Sequence, residues 1–248
     1  YPNRINAGVE LLDRMCTTGH ANSPVLHYEN VTWTYAELLD ISNRIACVLV
    51  EEYGLVPGNR VLFRSSNNPM LVACWFAVLK AGGICVTTMQ LLRSRVLVYI
   101  INKAQIEYAL CDVTLAREMK EAQQLAPTLT TALYFSAAGD AASSLDGSIA
   151  GVSSNFENCD TAANDTALIA VTSGTTGSPK ATMHFHRDIL AMTDCFPRSF
   201  NMVEPDDIFA GTPPLAFTFG LGGRTCFPMR FGASTRFFPS PLSSEKIM

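Results

Sequence analysis

TALIAVTSGTTGSPKATMHFH, residues 166–186, carries the pattern from which the fold can be read. Residues 166–172 form a continuous apolar run, as expected of a strand buried on both faces. Residues 181–186 alternate strictly, with Ala181, Met183 and Phe185 on one face and Thr182, His184 and His186 on the other. That is the period of two of a second strand. Between them, Ser173 to Ser178 are all Gly, Ser or Thr, and Pro179 and Lys180 follow. The segment is therefore a loop between two strands. A Walker loop, G-x-x-x-x-G-K-[ST], opens into a helix instead. Here Gly174 and Gly177 stand only three apart, Pro179 precedes Lys180, and Ala181 follows it. A dinucleotide fingerprint of the form G-x-G-x-x-G is also missing.

The loop still has the chemistry of a phosphate grip. Glycines let the backbone bend and approach a ligand closely. Exposed loop N–H groups can form an anion nest. Ser173, Thr175 and Thr176 add hydroxyl donors, and Lys180 adds a point charge.

Working outward, short apolar runs alternate with helical patterns. Residues 6–16 read as an amphipathic helix, and VLHYEN followed by VTWTY reads as a hairpin turning at Glu29-Asn30. Thr34, with Glu37 three residues on, predicts a capped helix over 34–53 that Gly54 ends. RVLFRS, ICVTTM, EYALCD and ALYFS read as strands, separated by helices over 68–81, 93–104 and 114–125. This alternation predicts an α/β fold of layered, mostly parallel sheets with helices on both faces. Residues 137–164 are rich in Ala, Ser, Gly, Asn and Asp, and read as an exposed connection. Placing a boundary there gives a first α/β subdomain at 1–164 and the start of a second, carrying the loop, at 165–248.

Composition narrows the function classes. The 248 residues are 48% hydrophobic and 16% charged, enough to bury a sizeable core. A net charge of −4 argues against a nucleic-acid or membrane-surface binder, which would need to neutralise many phosphates at once. No run approaches the length of a membrane span. The 8 cysteines form no C-x-x-C pair, most sit in apolar runs, and they suit a reducing cytoplasm. His184-x-His186 lacks a third metal ligand nearby. PSPLSSEKIM, residues 239–248, reads as a loop and the first turn of a helix, so the chain is expected to be a fragment.

TSGTTGSPK (172–180) resembles the signature of the adenylate-forming enzymes, a superfamily of acyl- and aryl-CoA synthetases, luciferases and peptide-synthetase adenylation domains. WTYAEL (33–38), VLKAGGICV (78–86) and PPLAFTFGLGG (213–223) resemble its other early motifs, in the same order. The opening N-x-x-x-x-L-L-D (Asn6 to Asp13), the stretch Thr87 to Arg95, ALCD (109–112) and FTFGLGG (217–223) look like 2-aminobenzoate- and benzoate-CoA ligases. The resemblance spans essentially the whole chain but only the first half of the family's length.

The resemblance implies ATP-dependent activation of an aromatic acid as an acyl-adenylate, followed by thioester formation with coenzyme A. It assigns Thr172, Ser173, Gly174, Thr175, Thr176, Gly177, Ser178, Pro179 and Lys180 to the nucleotide phosphates, with Lys180 and Thr176 as catalytic candidates. Mg2+ shares the charge, and Thr172, Thr175 and Thr176 stand as candidates near it with no choice among them. His186, Phe217, Thr218, Phe219 and Gly220 are the expected acid-site residues. There the two Phe rings would stack on a flat acid while Gly leaves it room, and His186 would orient either the loop or the acid. Ala181 replaces the family's usual Gly, and Gln90 its usual Pro. The Y-G-x-T-E segment, the ribose-binding aspartate and the C-terminal domain with its lysine have no counterpart here, so the chain is expected not to turn over alone. The expected partners are small molecules, with a homodimer the one protein assembly considered. The alternatives are a fatty acyl-CoA synthetase, a carrier-protein-loading adenylation domain, or a non-catalytic truncated homologue.

Overall fold

A computed structural model describes residues 1–139, 143–172, 180–200 and 203–239. The chain opens with a helical segment over 7–20, longer than the expected 6–16. A hairpin follows, β1 (Pro24–Tyr28) and β2 (Val31–Thr34), turning at Glu29, whose φ is 50°. Helix α1 (Tyr35–Cys47) starts with the expected capping box. The Glu37 N–H donates to Thr34 Oγ1 at 3.2 Å, and the Thr34 N–H donates to Glu37 Oε2 at 2.7 Å. The helical path continues to Glu52, and Gly54 ends it with φ at 71°.

Next come β3 (Arg60–Arg64), α2 (Pro69–Lys80), β4 (Ile84–Thr88), α3 (Ser94–Ala104), β5 (Tyr108–Asp112), α4 (Ala116–Leu125) and β6 (Thr131–Phe135). The remainder is α5 (Ser144–Ile149), β7 (Thr166–Thr172), β8 (Lys180–Phe185), α6 (His186–Phe200), β9 (Ile208–Ala210), α7 (Thr218–Leu221), α8 (Phe227–Arg230) and β10 (Ser234–Phe237).

Two sheets result. The larger has the order β6-β5-β3-β4-β7-β8, parallel except for the edge strand β8, which runs antiparallel to β7. The smaller has the order β2-β1-β10-β9, with β1, β10 and β9 parallel. Both sheets draw strands from either side of residue 164. Side-chain alternation explains why the larger sheet is apolar throughout. Val61, Phe63, Cys85, Leu110 and Leu168 face a core shared with α1 and α2. Leu62, Ile84, Val86, Ala109, Cys111 and Ile169 face a second core under α3 and α4.

Helix α2 is buried at every position, Lys80 included. Its ammonium donates to both carboxylate oxygens of Asp13 at 2.8 Å. Burial lowers the Lys80 pKa, and Asp13 opposes that. Asn68 caps the helix by accepting from the Leu71 N–H at 2.9 Å, with Pro69 in the first turn. Gly82 closes it at φ 74°, where a Cβ would stand 2.7 Å from Cys159 Sγ.

Two sequence expectations need correction. Residues 137–164 are more than an exposed connection, for they contain α5, with Leu145 and Asp146 buried. This short helix has no apolar period because side-chain hydrogen bonds fix it. Asp146 accepts from Ser136 N–H at 2.9 Å and Ser136 Oγ–H at 2.7 Å, and Ser143 caps its start. The second correction concerns the strand expected over 181–186, which ends at Phe185, so that His186 opens α6. Asp188 forces the change by accepting from the Phe185 N–H at 2.9 Å, as a carboxylate in a first helical turn does. Of the cysteines, Cys47, Cys74, Cys85, Cys111 and Cys226 are buried as expected, and Cys195 is exposed. The helix start expected near residues 243–245 lies outside the described residues.

Candidate functional site

The β7–β8 hairpin pairs Thr172 directly with Lys180. Ser173, Gly174, Thr175, Thr176, Gly177, Ser178 and Pro179 lie outside the described residues, as does the side chain of Thr172. What the fold fixes is where this segment leaves and rejoins the sheet. It departs from the carboxyl end of β7, beside the carboxyl end of β4, and returns into the edge strand. Open parallel sheets bind ligands at that end. Lys180 is exposed and shares a cleft with Tyr99, Lys103 and Val171, and Lys103 Nζ donates to Tyr99 Oη at 3.0 Å.

The second expected part, residues 213–223, is a clamped loop running into α7. Asn67 holds its start from both sides, its Nδ2 donating to Pro213 O at 3.1 Å and its Oδ1 accepting from the Leu215 N–H at 2.8 Å. Thr87, near the end of β4, donates its hydroxyl to Ala216 O at 2.8 Å. Sequence reasoning missed both anchors. Asn67, in the connection from β3 to α2, and Thr87, near the end of β4, carry no distinctive spacing, and only the long-range pairing reveals them.

Gly220 is buried against this loop. A Cβ there would overlap the Pro214 carbonyl oxygen and lie 2.6 Å from its carbon and 3.0 Å from Pro213 O. Backbone therefore fills the space at Gly220 that the sequence reading reserved for a ring. Phe217 and Phe219 are 39% and 76% exposed and stand outside the core. Thr218 and Leu221 line a cleft with Leu168 of β7, His184 of β8, and Asp188 and Met192 of α6. This cleft joins the hairpin that carries the loop to the FTFGLGG motif. It has an apolar floor, with a hydroxyl, an imidazole and a carboxylate around it.

His186 is not part of that cleft. It is 1% exposed, and its Nδ1 accepts from the Ala7 N–H at 3.1 Å. Burial pushes its pKa down to about 4, only partly opposed by Asp165, so the ring is neutral near pH 7. That hydrogen bond ties α6 to the N-terminal helical segment. His184, on the preceding strand, is the histidine that lines the cleft. Among the described residues, no group of three His, Cys, Asp or Glu side chains could hold a metal ion. Among the same residues, no helix is long and apolar enough to cross a membrane.

A family model described as "AMP-binding enzyme" matches residues 13–248. The chain belongs to that family. Similar curated proteins include a 3-hydroxybenzoate–CoA/4-hydroxybenzoate–CoA ligase of Thauera aromatica. It is 28% identical over 98% of this chain and 47% of its own length. A benzoate–CoA ligase of the same organism is 27% identical over 94% of this chain and 44% of its own length. Among solved structures, the anthranilate CoA ligase AuaEII in complex with anthranoyl-AMP superposes with a TM-score of 0.89. It is 23% identical, over 97% of this chain and 45% of that one, and shows the likeness of fold. ATP-bound MatB from Rhodopseudomonas palustris has a TM-score of 0.86 at 25% identity, over 98% of this chain and 46% of that one. The chain thus spans about half the length of the relatives it matches.

Proposed function

We propose that the chain carries the pyrophosphate grip and part of the acid pocket of an enzyme that activates an aromatic carboxylic acid with ATP and passes the acyl group to coenzyme A. The observation that carries this reading is the pairing of Thr172 with Lys180 across TSGTTGSPK, on the same hairpin whose Leu168 and His184 line a cleft with Thr218. The relatives named for benzoate and hydroxybenzoates support the class of acid.

In the first step a carboxylate oxygen attacks the α-phosphorus of ATP. The bond from that phosphorus to the bridging oxygen breaks, and pyrophosphate leaves with the electron pair. In the second step a thiol sulfur attacks the acyl carbon, AMP leaves, and the thiol proton passes to solvent. The first step is mainly a task of positioning and charge neutralisation. Lys180 meets the charge on the leaving pyrophosphate, and the N–H groups and hydroxyls of Ser173 to Ser178 complete the grip. Thr176 is carried in this scheme as a second catalytic candidate beside Lys180. Phe219 offers an exposed ring face on which a flat acid stacks, with Phe217 and Thr218 beside it and Gly220 fixing the turn. Mg2+ would neutralise phosphate charge when bound. The candidate hydroxyls near it are those of Thr172, Thr175 and Thr176.

Coenzyme A as acceptor, action in the cytoplasm, a homodimeric assembly and the lack of turnover by this chain alone all belong to the same proposal. Pyrophosphate exchange with benzoate or 2-aminobenzoate tests the last of these. The 248-residue chain should give no exchange above a Lys180→Met control, and robust exchange would refute that part.

A further inference from the structure

Arg224 sits one turn beyond α7, in the segment Gly222–Cys226, and is 4% exposed. Its Nε, Nη1 and Nη2 have no hydrogen-bond partner. Buried Arg64 and part-buried Arg230 are both satisfied. Arg64 donates to the carbonyls of Met89, Gln90 and Leu115, and Arg230 pairs with Asp194 and Glu10. Among the described residues, the charge-related contact of Arg224 is the Phe237 ring, 5.9 Å from its centroid. With no offsetting carboxylate, burial drags the guanidinium pKa down to about 10. It stays charged at neutral pH, and a buried unpaired charge is strongly destabilising.

The surroundings point to a ligand rather than to an accident of packing. Arg224 lies where the parallel strands β9 and β10 end, at Ala210 and Phe237, the end of a parallel sheet at which ligands enter. A Cβ on Gly211 would stand 3.7 Å from Nη1, so the backbone that follows β9 packs directly against the buried guanidinium. Next to it, Thr225 Oγ1 is also unpaired, as is Trp75 Nε1, and these two line one apolar slot with Leu215 and Ala216. Five of the nine unpaired buried side-chain N and O atoms among the described residues belong to Trp75, Arg224 and Thr225.

We propose that Arg224 anchors a carboxylate of the acid substrate, gripped by the planar fork of the guanidinium. The identity of the anion rests on the aromatic-acid reading, whereas the orphaned guanidinium stands without it. A phosphate oxyanion has similar chemistry, so the experiment separates the two.

Thermal unfolding of the 248-residue chain is followed in sodium chloride alone, with sodium benzoate, and with inorganic pyrophosphate, for the wild type, Arg224→Met and Arg224→Lys. Benzoate at tenfold excess over its Kd should raise the wild-type Tm by roughly 3–5 °C and saturate. Arg224→Met should start at the same Tm or higher, because an unpaired charge is gone, and should not respond. Arg224→Lys keeps the charge without the fork and should lose most of the shift, a check that survives if the Met variant fails to fold. Equal benzoate shifts in all three proteins, or no shift in the wild type, would overturn the proposal. An Arg224-dependent shift with pyrophosphate and not with benzoate would overturn the carboxylate assignment. Failure of the phosphate-loop reading is visible separately, as a loss of pyrophosphate binding that does not depend on Arg224.

Discussion

Replacing Gly220 with Ala puts one methyl group where the structure has a backbone carbonyl. The added carbon would overlap Pro214 O and lie 2.6 Å from the Pro214 carbonyl carbon. Neither group is the far end of a flexible side chain, so the loop or α7 must shift. Asn67 clamps the loop with two hydrogen bonds, at 3.1 and 2.8 Å, and Thr87 holds Ala216 at 2.8 Å. Overpacking a close contact costs about 1–3 kcal/mol. Weakening one of the clamping hydrogen bonds adds about 1 kcal/mol. The expected destabilisation is therefore about 2–4 kcal/mol, which lowers the Tm of a chain of this size by roughly 5–12 °C. Urea unfolding should show a lower midpoint at unchanged slope. A double variant, Asn67→Ala with Gly220→Ala, should cost less than the sum of the single changes, because freeing the loop relieves the clash. A Gly220→Ala Tm within about 1 °C of the parent would refute the close-approach argument, since even 1 kcal/mol moves it by more.

Other outcomes follow from the same geometry. His186 has a folded pKa near 4 against 6.5 unfolded, so its contribution is fully present above pH 6.5 and is lost as pH falls toward 4. Its loss amounts to about 3 kcal/mol, and His186→Gln should flatten the stability-versus-pH curve in that window; an unchanged slope would contradict the buried neutral ring. Asp13→Asn leaves Lys80 buried without its counter-ion and should cost about 3–5 kcal/mol, whereas Asp13→Asn combined with Lys80→Met should recover much of that loss. Equal stability of the single and double variants in urea would show that the pair is not coupled. Cys195 should be the first thiol to react with an aromatic disulfide reagent in the native chain, and prior reaction of Cys74 or Cys85 would contradict their burial.

The sequence made most elements legible because their signals are local and redundant. The Thr34–Glu37 capping box, the Glu29-Asn30 turn and the closing Gly54 each appear where expected. The double-sided apolar character of β3, β4, β5 and β7 follows from helices covering both faces of their sheet. The loop's position between two strands was readable for the same reason, as two different periods flank it. The rest depends on contacts that are distant in sequence. Helix α5 is held by Ser136 and Asp146 rather than by an apolar stripe. His186 continues the alternation of β8, but Asp188 and the Ala7 N–H turn it into a helix start. Nothing in FTFGLGG reveals that Gly220 meets a carbonyl, that Phe219 is exposed, or that Arg224 is buried without a partner.

The grip on pyrophosphate around Lys180 is the claim on which the functional account stands, and calorimetric titration of inorganic pyrophosphate into the 248-residue chain and its Lys180→Met variant tests it most directly. Binding to the parent chain should be weak and salt-sensitive, and the variant's affinity lower by about 10- to 100-fold, the worth of one hydrogen bond to a charged group. Equal affinity in the two proteins, or no binding to the parent, would contradict it.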